Sequence, residues 1–433
     1  MHGPADRGIL RNGFQVGSRE VEPMTQKKWQ GAALWALKGF CIFSLLLPVF
    51  YSPYTDVYQS AYYGGFSWAY LMLVCYMAIE ALAVWRQPGT LWEKGAAHKG
   101  WLFYLLVLVI YNVIALYMNY KYLHWYWEQI NHTVAFLFFM TLICGNTKLE
   151  QKGSDGIRFL IHCIVLSNIA SIVYYAMGYT KLLLCNHEVV FFALPSNFYE
   201  TRHYWIYSHK SEYALMLVAF TALFVCYRDK FKNRVTYGLS LAVLLICLYL
   251  THSWTGIAGV FLIFAGASLD RVNWKTFHWK KSYLWMGLLA AALAGAVGYK
   301  ILSERDVMSL GGRTDIWRAV LRVIEKHPEG WGMRFGESAI EAAEGVFVNN
   351  AHNLFLNMVL RFSVPVGILF TLLFLGLAVY SVKRSKSFLA AGMWLALLIL
   401  LNMDYALMSL QMGLLFLVVY LVCFYKRRVV YVE

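Results

Sequence analysis

Runs of apolar residues long enough to cross a lipid bilayer recur along the whole chain. A bilayer core about 30 Å thick requires about 20 apolar residues per helix, and twelve such runs can be counted in the sequence. Only 14% of the residues are charged and 60% are hydrophobic, whereas about 25% are charged in soluble domains. The composition excludes an ordinary soluble enzyme, a disordered chain and an ordinary nucleic-acid-binding protein. It predicts an all-α integral membrane protein with about twelve transmembrane helices.

The predicted spans lie between a tail at 1–28 and a tail at 426–433. Spans one to nine fall within 29–300, and spans ten to twelve fall within 354–425. Their approximate bounds are 29–50, 61–85, 101–118, 130–144, 157–177, 211–226, 236–250, 254–269, 282–299, 354–382, 388–401 and 405–424.

Positive charges alternate between the loops that connect these spans. Lys and Arg collect in cytoplasmic loops, and one alternate set of loops holds most of them, as at 228–234 and 383–386. An even number of spans with both termini in the cytoplasm satisfies this pattern. We therefore interpret the net charge of +14 as membrane topology and not as a nucleic-acid-binding surface.

Two segments on the extracytoplasmic side, about 178–210 and 301–353, are too long to be simple turns. Long ordered loops are often functional. The second contains GGRTDIWRAVLRVIEKH at 311–327, whose period predicts a short interfacial helix. Its predicted apolar face consists of Ile316, Trp317, Val320, Leu321 and Ile324. A second short helix, with an acidic face, is predicted around Glu337, Glu341 and Glu344.

The large loop resembles the signature region of the O-antigen ligase and polymerase family of bacterial membrane glycosyltransferases. The resemblance is carried by four segments in order, GGRTDIW (311–317), HPEGWG (327–332), AHN (351–353) and FSVPVGILF (362–370). It implies a multi-pass protein of the bacterial cytoplasmic (inner) membrane whose active site faces the extracytoplasmic side. It also implies transfer of a glycan from an undecaprenyl-pyrophosphate-linked donor to a glycan or lipid acceptor. That activity serves O-antigen, capsule or exopolysaccharide assembly, with other proteins of the assembly machinery as partners and without a cofactor.

By this resemblance, His352 and Arg313 are the candidate catalytic residues. A guanidinium group stabilises the charge that develops on a pyrophosphate leaving group. An imidazole is a suitable general base for an acceptor hydroxyl, and Asn353 is expected to orient it. The structural alternatives are a helix-end cation that touches lipid headgroups for Arg313 and a helix-capping histidine for His352.

Other candidates for substrate binding lie outside these motifs. Arg202 and Lys210, in the first outer loop, are expected to hold the lipid phosphate, and the alternative is an aromatic belt with cations at headgroup level. Arg361, predicted about two turns inside the tenth span, is a third candidate because a cation there is costly unless it faces a cavity or snorkels to the membrane interface. His203 and His209 are weaker candidates of the same kind.

The turn LTHSWTG (250–256) departs from the family pattern. Relatives often have an Arg after the Ser, where this chain has Trp254, which leaves His252 and Ser253 as polar substitutes. This departure, together with the poor match outside the large loop, gives polymerase a slight preference over ligase. No metal-binding motif is present in the sequence.

A secondary transporter or a lipid-linked oligosaccharide flippase is the alternative function, although no internal repeat or midplane charge cluster supports it.

Overall fold

The structure is a computed structural model. It describes residues 21–46, 68–85, 101–122, 127–145, 147–151, 154–185, 188–193, 202–207, 209–272, 313–330, 351–403 and 410–425. The ninth predicted span, 282–299, and the predicted acidic helix around Glu337, Glu341 and Glu344 lie outside these residues.

The described chain is largely helical, as the composition predicts. Its helices are α1 (Val21–Leu45), α2 (Trp68–Trp85), α3 (Trp101–Tyr122), α4 (Trp127–Cys144), α5 (Gly156–Ala176), α6 (Lys210–Cys226), α7 (Arg234–Leu250), α8 (Trp254–Leu269), α9 (Arg313–Lys326), α10 (Leu354–Phe362), α11 (Val364–Ser385), α12 (Phe388–Met403) and α13 (Leu410–Tyr420). A 3₁₀ turn at Arg228–Lys230 precedes α7, and a π-helical turn at Leu421–Tyr425 continues α13. α1 begins within the segment predicted as the N-terminal tail.

Several of these helices are suited to a bilayer. Among the described residues, three are long and apolar enough to cross one, namely Phe103–Tyr122, Gly156–Ala176 and Val364–Ser385. Six further apolar segments are shorter, with 10–17 residues each. Long and short apolar helices together indicate a membrane protein, and the count of twelve spans stays a prediction.

Two β-hairpins modify the predicted all-α fold. A short one pairs β1 (Glu150–Gln151) with β2 (Ser154–Asp155). A longer one pairs β3 (Tyr179–Cys185) with β4 (Glu188–Ala193) in antiparallel register, with Leu182 opposite Phe191. The longer hairpin occupies part of the first outer loop, where the sequence analysis predicted no regular structure.

The single span predicted over 354–382 is wrong, because the chain breaks at Ser363. This residue has φ 109°, and it separates α10 from α11. Pro365 is tolerated only in the first turn of a helix, so a new helix has to begin beside it. α11 then folds back on α10, and a Cβ at Gly367 would lie 2.6 Å from Cα of Val359. Only glycine permits this approach.

α8 and α12 form an antiparallel pair whose backbones approach closely through glycines. A Cβ on Gly392 would lie 2.5 Å from the Leu262 carbonyl oxygen, and one on Gly259 would lie 3.3 Å from Cβ of Ala396. α6 lies beside α8 and is almost entirely buried. The pairing places the turn 251–253 and Met403 at one end, here called the outer end because the charge pattern assigns it to the outside.

The opposite end, here called the inner end, is held by polar contacts. Asp270 caps the start of α12 and accepts hydrogen bonds from Phe388 N at 2.6 Å and Leu389 N at 3.0 Å. Lys230 forms ion pairs with Glu150 at 2.8 Å and Asp155 at 3.0 Å. These contacts tie the connecting loops at the inner end to the helices and leave the candidate site at the outer end.

Candidate active site at the outer end

The predicted loop helix exists as α9, and its apolar face packs against α10. Its buried residues are Ile316, Ala319, Val320 and Val323, and they contact Ala351 and Leu360. Leu321, which the sequence analysis placed on this face, is 54% exposed and does not belong to it. The face therefore packs against protein and fixes α9 relative to the segment 351–353.

Two hydrogen bonds hold Ala351 in place just before the candidate histidine. The Trp317 indole Nε1 donates to the Ala351 carbonyl oxygen at 2.8 Å. The Ala351 amide donates to Oδ1 of Asn357 at 2.8 Å. Because Ala351 is completely buried, both backbone groups would be costly to leave without a partner. Trp317 thus has a structural role that its place in the motif did not reveal.

Asn353 holds the chain just after the histidine. Its Oδ1 accepts from Phe355 N at 3.0 Å and Leu356 N at 3.1 Å, which caps α10. Its Nδ2 donates to Oδ1 of Asn402, in the last turn of α12, at 2.9 Å. Asn353 therefore fixes the backbone beside His352, and its expected role in orienting the imidazole stays a prediction.

His352 lies between these two fixed residues in a left-handed backbone conformation, with φ 45°. Its side chain is half-buried. A left-handed residue other than glycine costs about 1–2 kcal/mol, and such strain persists where the surroundings impose it, often at functional sites. The imidazole is therefore presented from a rigid backbone.

Arg313 reaches the same end of α12. It is the first residue of α9, and its Nε donates to the Met403 carbonyl oxygen at 2.8 Å. Asn353 contacts Asn402, so the two predicted motifs bind consecutive residues of α12. Segments almost 40 residues apart in the chain thus converge at the outer end.

The turn after α9 supports the break between α10 and α11. The Val364 amide donates to the Pro328 carbonyl oxygen at 3.0 Å. Gly330 has φ 85°, and a Cβ there would lie 2.5 Å from the Ser363 amide nitrogen. The Pro and Gly of the turn therefore contact the start of the FSVPVGILF stretch.

A second group of basic residues lies at the starts of α6 and α8. Burial lowers the pKa of His252, and the positive charges of Arg202 and Lys210 lower it further. The structure therefore brings Arg202 and Lys210, both predicted, close to His252. α8 packs on α12, so this basic group and the Arg313 group share the outer end.

A comparison with models of known protein families finds a match. Residues 239–371 match the model of the family described as O-antigen ligase. Over this segment, here called the O-antigen ligase region, the chain is similar to that family. Among curated proteins, none matches the chain significantly. The family match and the apolar helices indicate a membrane protein with ligase- or polymerase-type function in surface polysaccharide assembly.

The O-antigen ligase region includes some of the predicted site residues and not others. Arg313, His352, Asn353 and Arg361 lie within the matched residues. Arg202 and Lys210 precede them. Arg361 lies in the last turn of α10 with its side chain 8% exposed, about 12 Å along the helix axis from Asn353.

His203, a weaker candidate, has a structural role beside the O-antigen ligase region. It is fully buried, and its Nε2 lies 2.5 Å from Oγ of Ser171 while its Nδ1 lies 3.0 Å from the Thr180 carbonyl oxygen. Burial lowers its pKa to about 4, so the ring is neutral at pH 7. His203 anchors the outer loop and thereby positions Arg202, its neighbour in the chain.

Two other polar candidates cap helices. His209 Nδ1 accepts from Ser211 N at 3.3 Å at the start of α6. Ser253 Oγ accepts from Gly256 N at 3.2 Å at the start of α8. Within the part of the chain that the structure describes, no cluster of three or more His, Cys, Asp or Glu could hold a metal ion.

Proposed function

We propose that the protein transfers a glycan from undecaprenyl pyrophosphate to an acceptor hydroxyl on the outer face of the bacterial cytoplasmic membrane. The convergence of Arg313 and the His352–Asn353 pair on consecutive residues of α12 carries this proposal. It supplies a cation and a base at one place on the outer end. The family match gives the general class of function, and the donor and the side of the membrane are part of the proposal.

The proposed step is a substitution at the anomeric carbon of the donor glycan. The acceptor hydroxyl gives its proton to the His352 imidazole while its oxygen forms the new glycosidic bond. The bond between the anomeric carbon and the pyrophosphate oxygen breaks, and the undecaprenyl pyrophosphate leaves as an anion. Arg313 stabilises that anion through charge-assisted hydrogen bonds, and its bond to the Met403 carbonyl oxygen sets the direction of the guanidinium group.

Arg202, Lys210 and His252 form a second site for phosphate groups in this proposal. The positive charges of Arg202 and Lys210 both lower the pKa of His252, which indicates that the three basic side chains are near one another. Two phosphate-binding groups at one end suit a polymerase, which brings together two lipid-linked glycans. A ligase would need one phosphate site and an acceptor site, so this arrangement favours polymerase over ligase.

The variants His352→Ala and Arg313→Ala test the proposal in the native host, after deletion of the chromosomal gene. Each should abolish glycan transfer while membrane insertion is unchanged. Arg318→Ala is the matched control, because Arg318 is exposed on α9 and pairs only with the exposed Asp315 among the described residues. It should retain normal transfer. Near-normal transfer by both site variants would contradict the assignment.

The size distribution of the accumulated glycans separates the alternatives. Single lipid-linked repeats on the outer face, without long chains, indicate a polymerase. Long lipid-linked chains that never reach their final acceptor indicate a ligase. Repeats trapped on the cytoplasmic face would overturn the proposal and support a flippase or another transporter.

A further inference from the structure

A cleft of about 700 Å³ opens at the inner end, on the opposite side of the bundle from the candidate active site. It lies between the ends of α6, α8 and α13 and the starts of α7 and α12. Its apolar wall is formed by Val225, Cys226, Ala267, Leu389, Val422 and Cys423. The last two belong to the π-helical turn that ends α13, and such turns occur frequently at functional sites.

Three arginines, Arg228, Arg234 and Arg271, line the same cleft. The guanidinium carbon of Arg228 lies 5.5 Å from the centroid of the Tyr237 ring. Tyr237 also lines the cleft, so this guanidinium group lies over an aromatic part of its wall. Among the described residues, none of the three forms a salt bridge with a carboxylate.

Two carboxylates share the lining and reduce its positive charge. Asp270 is already engaged by hydrogen bonds at the start of α12, and Asp229 follows Arg228 in the chain. Even with both ionised, the three arginines leave a positive excess of one charge. An anion that enters the cleft would therefore meet a net attraction from the guanidinium groups.

We propose that this cleft binds the phosphate headgroup of an anionic phospholipid from the cytoplasmic leaflet. Guanidinium groups bind phosphate oxygens through paired hydrogen bonds, and the apolar wall suits an acyl chain. Basic pockets between transmembrane helices on the cytoplasmic side are typical sites for anionic lipids. A free phosphate would use the arginines and leave the apolar wall without an occupant. This inference is independent of the proposed glycan transfer.

Native mass spectrometry of the full-length protein tests this inference. Purified protein would be titrated with phosphatidylglycerol, with phosphatidylcholine and, in a separate arm, with inorganic phosphate. We expect retention of phosphatidylglycerol above phosphatidylcholine. One Arg near a membrane surface contributes about 1 kcal/mol, or about fivefold in affinity, so Arg228→Gln with Arg271→Gln should weaken retention about 25-fold.

The control removes the same charge from the inner end outside the cleft. Lys383→Gln with Arg384→Gln, on the exposed last turn of α11, should retain phosphatidylglycerol as the unmodified chain does. Equal weakening in the two double variants would overturn the proposal, and so would competition by inorganic phosphate that displaces the lipid completely. If the cleft double variant does not fold, the single variants Arg228→Gln and Arg271→Gln replace it, each with an expected loss of about fivefold.

Discussion

Replacement of Asn353 is the most direct perturbation of the backbone that presents the candidate histidine. Asn353 has two separable functions in the structure. Its Oδ1 caps α10 through Phe355 N and Leu356 N, and its Nδ2 donates to Asn402 on α12. Asn353→Ser keeps a good N-cap and removes the contact with α12. Asn353→Ala removes both.

The two contributions can be estimated from their chemistry. Loss of an Asn N-cap costs about 1 kcal/mol, and loss of one partly buried side-chain hydrogen bond costs about another 1 kcal/mol. We therefore expect Asn353→Ser to cost about 1 kcal/mol and Asn353→Ala about 2 kcal/mol. The loss of about 2 kcal/mol in folding stability for Asn353→Ala is comparable to the strain of about 1–2 kcal/mol in the left-handed backbone of His352. With the cap gone, His352 can relax into an ordinary conformation.

Activity and stability should be measured together in detergent-purified protein. Thermal unfolding midpoints should fall in the order unmodified, Asn353→Ser, Asn353→Ala. Transfer activity of Asn353→Ala should fall about tenfold, because a shift of about 1.4 kcal/mol in the conformational equilibrium leaves about a tenth of the molecules with His352 in the presented conformation. Equal stability and equal activity for the Ser and Ala variants would refute the argument that the cap holds His352 in place.

Two further predictions concern residues around this site. Gly330→Ala should destabilise the protein by at least about 2 kcal/mol, because Gly330 has a positive φ and the added Cβ would clash with the backbone of Ser363. Gly376→Ala is the control: a Cβ there meets open space, so the thermal midpoint should not fall. The pKa of His203 is lowered in the folded protein. As the pH falls below 6.5, the imidazole is therefore protonated in the unfolded chain before it is protonated in the folded one. Folding stability should decrease by up to about 3 kcal/mol between pH 6.5 and 4. His203→Gln should show a smaller decrease over that interval when urea unfolding is followed by tryptophan fluorescence, and an equal decrease would show that His203 is not the group responsible.

The sequence predicted elements whose signals are local. The α9 helix was predicted because its apolar period is strong and Pro328 follows its end, and the structure confirms it. Leu321 was assigned to the wrong face because the period alone does not show where the partner helix α10 lies. The helix ends beside the turn 251–253 were predicted within a few residues, since polar residues interrupt two long apolar runs there.

The features that were missed depend on contacts distant in the sequence or on weaker signals. The break at Ser363 had a signal, a Ser two residues before Pro365, but the apolar run on both sides concealed it. The β3–β4 hairpin also had one, since apolar runs lie on both sides of the polar pair Asn186 and His187 in the sequence. Asn357 and Asn402 could have been noticed as single amides inside apolar helices, which usually find a partner in a neighbouring helix. Which partner each one finds is decided by the tertiary fold.

The four-part motif of this chain divides into residues that build a scaffold and residues that the scaffold presents. Trp317 and Asn353 fix the backbone on both sides of His352, while Gly330 and Gly367 permit the close approaches around the break. Loss of any of these four would reduce activity through the fold, so loss of activity alone cannot identify a catalytic group. His352 differs because the scaffold converges on its backbone and presents its half-buried side chain. A substitution of His352 that removes transfer without lowering the unfolding midpoint would identify a chemical role. Substitutions of the scaffold residues cannot give that result, because they lower the midpoint as well.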